Sequence, residues 1–176
     1  FKAMIVAVNR ESCVHYKKEL DKLLPKEYSE IVMTFNEKHD SQLIRDYLKE
    51  LREKNKGKEE REINKDVINK FKESELPKIL IVTDMLLTGF DAPILQTMYL
   101  DKPLKEHRLL QAIARTNRPY NNVKEVGLII DYIGILKEFK KAFEMYSKEE
   151  INGALYNIND LRLEFTSPID DILDDF

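Results

Sequence analysis

Ile79-Leu-Ile-Val-Thr-Asp-Met-Leu-Leu-Thr-Gly-Phe-Asp-Ala-Pro93 decides the fold. Its first four residues form an unbroken apolar run, too short for a typical helix and rich in β-branched side chains, which reads as a strand buried on both faces. Thr83 and Asp84 follow at the strand's carboxyl end. After a short apolar turn the chain bends at Gly89, presents Asp91 and stops at Pro93. Polar groups just past a strand's end are how an open α/β sheet builds a ligand site.

Working outward, Ala3–Val8 is a second apolar run, read as the first strand, and Asn9 and Arg10 stand at its end. Apolar positions Cys13, Val14, Leu20, Leu23 and Leu24 recur at roughly helical spacing until Pro25, with Asn9 as the expected cap. Ile31–Phe35 reads as a third strand. Ser41 is the expected cap of a helix through Leu43, Ile44, Tyr47, Leu48 and Leu51, with Asp40 near its positive end. Residues 49–66 are almost entirely charged or polar with both signs interleaved, a pattern more typical of a solvated helical hairpin or mobile loop than of a nucleic-acid contact. Beyond Pro93, Thr97–Leu100 and Val126–Asp131 read as strands and Leu104–Asn117 as a helix ended by Pro119. Ile135, Leu136, Phe139, Phe143 and Tyr146 mark a closing amphipathic helix. Alternating apolar strands and helices predict a three-layer αβα domain on a mostly parallel sheet. The domain is expected to span 1–148, with a charged insertion at about 49–66. Residues 149–176 are read as a linker or the start of a following helical region.

The 176 residues carry a net charge of −3, which argues against coating nucleic acid by bulk electrostatics but leaves room for local phosphate contacts. The single cysteine, Cys13, excludes an internal disulfide and fits a reducing, cytoplasmic setting. Its place on an apolar helix face favours an inert buried thiol. His15, His39 and His107 are scattered without ligand spacing, so no metal site is expected. No long apolar segment marks a membrane span. The chain opens on Phe1 rather than Met, so a piece of a longer protein is expected.

The most informative chemistry lies in Gln111-Ala-Ile-Ala-Arg-Thr-Asn-Arg118. Gln111 and Arg115 share a helical stripe, and Arg118 projects just past the last turn. A planar guanidinium can make paired hydrogen bonds to phosphoryl oxygens and stabilise phosphoryl-transfer charge. Two arginines at a helix end are, on their own, more often surface ion pairs.

Together the two stretches resemble motifs V and VI of superfamily 2 helicases and translocases. Leu100-Asp-Lys-Pro-Leu104, Leu110–Tyr120 and Gly127-Leu-Ile-Ile-Asp-Tyr-Ile-Gly134 closely resemble the motor (R) subunit of type I restriction–modification enzymes. The likeness runs from a motif IV-like Ala3–Glu11 to about Gly134 and is poorest in the charged middle. It implies the second RecA-like domain, of the P-loop NTPase type, in a motor that translocates along duplex DNA before cutting it. Arg118 would be the arginine finger, Arg115 its companion on the γ-phosphate, and Gln111 a positioner of water or of the arginines. Gly89 would permit the tight turn, and Asp91 would meet the nucleotide's sugar or the arginines. Thr83, and less strongly Arg10, would hold DNA phosphates.

Ala114 stands where many relatives have Gly, which points toward the restriction motors and away from RNA helicases. The chain contains no Gly-x-x-x-x-Gly-Lys-[Ser/Thr] loop and no Asp-Glu Mg²⁺ motif. ATP and Mg²⁺ would therefore be held mainly by an absent first RecA-like domain, and the nuclease domain is absent as well. The isolated chain is expected to bind neither cofactor appreciably and to be inactive. Methyltransferase and specificity subunits are the implied partners. The alternatives are the C-terminal half of another superfamily 2 DNA or RNA helicase, or a non-enzymatic RecA-like scaffold.

Overall fold

The structure is a computed structural model that describes residues 1–87, 89–120, 124 and 126–134. All of them belong to one compact unit. The expected closing helix through Ile135 and Tyr146 and the tail from about Glu149 lie outside the described residues.

Five strands form the sheet: β1 (Lys2–Val6), β2 (Ser29–Val32), β3 (Ile79–Val82), β4 (Leu95–Leu100) and β5 (Leu128–Asp131). Their order is β2-β3-β1-β4-β5, and all four pairings are parallel. The quoted apolar run, β3, sits between β1 and β2, and its Leu80, Ile81 and Val82 are wholly buried. That two-faced burial is what an uninterrupted β-branched run requires.

The register aligns Ile5, Ile31, Ile81 and Tyr99 across the sheet. This face packs with Cys13 and Val14 of α1 (Arg10–Leu23) and Ile44 of α2 (Gln42–Lys54). The opposite face is covered by α3 (Glu60–Glu73) and α4 (Glu106–Thr116), so the domain has three layers. Phe71 of α3 is fully buried there, 6.2 Å from Phe90 between ring centroids. The expected αβα class is the one observed, with a sheet that is wholly parallel among the described residues.

Asn9 caps α1 as its spacing predicts, its Oδ1 accepting from Ser12 N at 2.8 Å. Ser41 stands at the cap position of α2, but its side chain makes no capping bond. Asp40 stands just before that helix end, and its carboxylate accepts from Asn36 N at 2.7 Å and pairs with Arg10 at 2.6 Å, closing the turn before α2. Across the charged middle, α2 runs to Lys54, the chain turns at Gly57 (φ +84°), and α3 begins at Glu60. Arg52 of α2 pairs with Glu60 of α3, joining the two helices, and with Glu37 in the turn before α2, both at 2.5 Å.

Lys2 is a buried cation that the sequence pattern does not distinguish from its apolar strand. Its Nζ donates to Ser74 O at 2.6 Å and lies 4.9 Å from the Phe71 ring centroid, so it closes the carboxyl end of α3. Burial lowers its pKa to about 8. The Cys13 thiol is likewise buried, and desolvation pushes its pKa up to about 12. Native protein at pH 8 should therefore leave this thiol unreactive toward a disulfide reagent, whereas denatured protein should titrate it fully. Rapid native labelling would contradict the burial described for α1.

Candidate functional site

β3 and β4 run parallel on either side of β1, so the chain must return from the carboxyl end of one to the amino end of the other. It does so over Thr83–Ile94 with no helix among the described residues. Leu87, Phe90 and Ala92 anchor this crossing, each no more than 5% exposed. Leu86 (φ +70°) and Gly89 (φ +68°) in it adopt left-handed backbone. At Gly89 a Cβ would meet nothing within 4 Å, so conformation rather than space calls for glycine. Leu86 bears the usual strain of a side chain in that region.

Helix α4 lies alongside the crossing and holds it in register. Arg108 pairs with Asp84 at 3.1 Å, and Lys102, just before the helix, pairs with the other oxygen of Asp84 at 2.5 Å. Two turns on, Arg115 Nε donates to Leu87 O at 2.8 Å. Beyond the last turn, Arg118 pairs with Asp91 at 2.5 Å. Helix order 108, 115, 118 thus matches loop order 84, 87, 91. Gln111 lies exposed one turn before Arg115. Burial lowers the pKa of Arg115, Arg118 lowers it further by repulsion, and Asp91 offsets part of this. An arginine stays charged regardless. The pair is therefore short of negative charge, and no described residue bonds the terminal nitrogens of Arg115. An anionic phosphate group fits this arrangement.

The end of α4 is fixed from behind. Thr116 is buried, and a Cβ at Gly127 would sit 2.1 Å from Thr116 O, so strand β5 approaches the helix through bare backbone. Asn117 Oδ1 accepts from Gly127 N at 3.2 Å. Lys124, 2% exposed, donates to Pro93 O at 2.9 Å and Leu95 O at 2.5 Å, tying the far end of the crossing. Burial lowers its pKa to about 8.

The structure thus gathers Arg115, Arg118, Gly89 and Asp91, with Gln111 one turn away. Thr83 is half-buried at the end of β3. Arg10 lies in a separate cluster, bonded to Thr34 O at 3.1 Å and Asp40. Sequence reasoning assigns no site role to Lys102, Arg108, Lys124 or Gly127, although Lys102 and Gly127 lie in stretches that carry the resemblance. Arg108 carried a usable signal, since it precedes Arg115 by seven residues on one stripe. Among the described residues no cluster of His, Cys, Asp and Glu could hold a metal ion, and no helix is long and apolar enough to cross a membrane.

The family model for domain 3 of the type I restriction enzyme subunit R matches residues 1–134. The chain belongs to this family. The match covers the whole sheet and both the crossing and α4, so the likeness carried by residues 83–93 and 111–118 extends through the domain. Similar proteins include the "Putative type I restriction enzyme MjaVIIP endonuclease subunit" of Methanocaldococcus jannaschii, 48% identical over 186 residues that cover 100% of this chain and 17% of that protein. The type I restriction enzyme HindI endonuclease subunit of Haemophilus influenzae is 38% identical over 157 residues, 88% of this chain and 15% of that protein. This R-subunit domain therefore spans 15% to 17% of the length of these relatives. Among solved structures, a fragment of a putative HsdR subunit of a type I restriction enzyme from Vibrio vulnificus YJ016 aligns with a TM-score of 0.43 at 19% identity. That alignment covers 84% of this chain and 35% of the other.

Two outcomes test how the R-subunit domain holds this site. Gly127→Ala should destabilise it by about 1–3 kcal/mol in urea unfolding, because the new methyl overlaps helix backbone that cannot yield. Lys124→Met should cost more at pH 10 than at pH 7. Between pH 8 and 10.5 the unfolded wild type keeps a proton that the folded Lys124 has released, so wild-type stability rises through that window. The gap between the two proteins should widen by up to about 3 kcal/mol, with Cys13 and Tyr16 titrating alike in both.

Proposed function

We propose that this R-subunit domain is the second RecA-like half of an ATP-driven motor that translocates along duplex DNA before cleavage. The observation that carries the reading is the under-neutralised pair Arg115 and Arg118, fastened to the same crossing that begins at Thr83. Bound ATP, with Mg²⁺ held mainly by a first RecA-like domain, supplies the γ-phosphoryl group whose transfer drives the motor. Arg118 reaches that group as an arginine finger, and Arg115 binds beside it with Nε anchored on Leu87 O. Gln111 orients the attacking water or the arginines. Asp91 holds Arg118 until phosphate oxygens compete for it, and Gly89 gives the turn that brings Asp91 there.

Thr83 and adjacent backbone grip a DNA phosphate, a contact blind to base sequence and so suited to tracking. Arg10 is the weaker candidate for such a contact, since Asp40 and Thr34 already engage it. The motor domain extends over 1–148, with 149–176 serving as a linker or the start of a helical region. It works in the cytoplasm with the nuclease and first RecA-like domains of its own polypeptide and with methyltransferase and specificity subunits, the last of which read the bases. By itself the chain is inactive.

In the full-length subunit, Arg118→Ala should cut ATP turnover and translocation by about a thousandfold or more while leaving DNA loading intact. Retained translocation would defeat the finger assignment. Duplex DNA, and not single-stranded RNA, should stimulate the ATPase of the assembled protein. The isolated chain should bind ATP weakly or not at all by calorimetry, and submicromolar affinity would show that it holds a complete site.

A further inference from the structure

The fastenings between α4 and the crossing differ in kind. Arg115 and Arg118 belong to the proposed nucleotide site, and a role for their neighbour Asp84 rests on that assignment. Asp84 itself belongs to neither ligand. It lies next to Thr83, at the opposite end of the crossing from Asp91, and it engages two cations with its two oxygens: Lys102 with Oδ2 and Arg108 with Oδ1. Lys102 sits on the turn leaving β4, whereas Arg108 sits in the first turns of α4, so the carboxylate braces the loop against two elements at once.

These pairs add little to stability. Asp84 and Arg108 are each nearly half exposed, and ion pairs of that kind are largely screened. Geometry is their more informative property. Arg108 and Arg115 lie two turns apart on one face of a continuous helix, about 10 Å along its axis. The loop between their contact points, Asp84 to Leu87, contains Leu86 in left-handed backbone, a conformation that persists only when both sides are held. A strained residue between two fastenings leaves the path of the loop dependent on both of them.

We propose that Asp84, clamped by Lys102 and Arg108, is the positioning residue through which α4 passes a change at Arg115 and Arg118 to the loop end at Thr83. In this arrangement one continuous helix carries Arg115 near its carboxyl end and Arg108 near its amino end, so the clamp ties the loop at Thr83 to the same rigid element that meets the nucleotide. Without the clamp the arginines still serve the nucleotide, but the DNA-facing end no longer follows them.

The test uses the full-length R subunit in its complex and reads three quantities: ATP turnover without DNA, DNA affinity, and base pairs translocated per ATP consumed. Asp84→Asn should leave the first two within about twofold and lower the third by about tenfold or more. Arg108→Gln should do likewise, and Asp84→Glu, which keeps the charge, should recover most of the loss. A merely structural role would lower all three quantities together, and that result would overturn the proposal. So would unchanged yield per ATP in Asp84→Asn. Arg118→Ala run in parallel separates the two assignments: if it stops turnover while Asp84→Asn stays coupled, the nucleotide site stands and the clamp falls. If Arg118→Ala translocates normally, the nucleotide site itself falls.

Discussion

The constraint on which the domain depends is a crossing without a helix. Between β3 and β4 the backbone passes over β1 for Thr83–Ile94, and among the described residues no helix satisfies its carbonyls. Backbone turn bonds, to Asp84 O from Leu87 N and to Ala92 O from Leu95 N, share that task with side-chain and strand donors. Arg115 bonds Leu87 O, Lys124 bonds Pro93 O, and Lys2 N bonds Ile94 O. Leu87 and Phe90 supply the apolar anchoring between these points. An irregular loop is thereby given a defined path, and the site inherits its geometry from that path.

The fastenings divide by burial into two energetic kinds. Lys2 and Lys124 are almost wholly buried, carry the cost of desolvation in their lowered pKa, and bond carbonyl oxygens of the chain itself. Losing either would leave carbonyls without partners, which is the expensive error in a protein interior. The ion pairs of Asp84 and Asp91 are exposed and contribute little to stability. The buried kind maintains the fold, and the exposed pair of Arg118 with Asp91 is free to exchange partners.

Much of this architecture is legible in the sequence because the sheet is parallel and buried. Continuous apolar runs such as Ile79–Val82 have few other uses, and Asn9 before a periodic stretch announces a helix start. Ser41 has equally good cap chemistry yet makes no capping bond, and its neighbour Asp40 is committed to Asn36 and Arg10. The bond to Arg10 is a contact between distant residues, and local spacing does not encode it. The same holds for Lys124 and Gly127, whose roles exist only once β5 lies against α4. Arg115 and Arg118 stand out through resemblance and residue chemistry, and the resemblance offers Asp91 to the nucleotide's sugar or to the arginines, whereas the bond of Arg115 to Leu87 O becomes visible only in three dimensions.

One consequence of the Arg118–Asp91 pair concerns how the half-site meets ionic solution. A bare arginine pair would attract a counter-ion atmosphere and release it on binding phosphate, giving a steep dependence on salt. Here a carboxylate already occupies that place. An incoming anion trades with Asp91 and adds little to the net neutralisation, so binding at Arg118 should respond to salt less steeply than its charge alone implies. The domain carries an internal counter-ion for one of its two arginines, Arg118, and leaves the charge of Arg115 to the incoming phosphate.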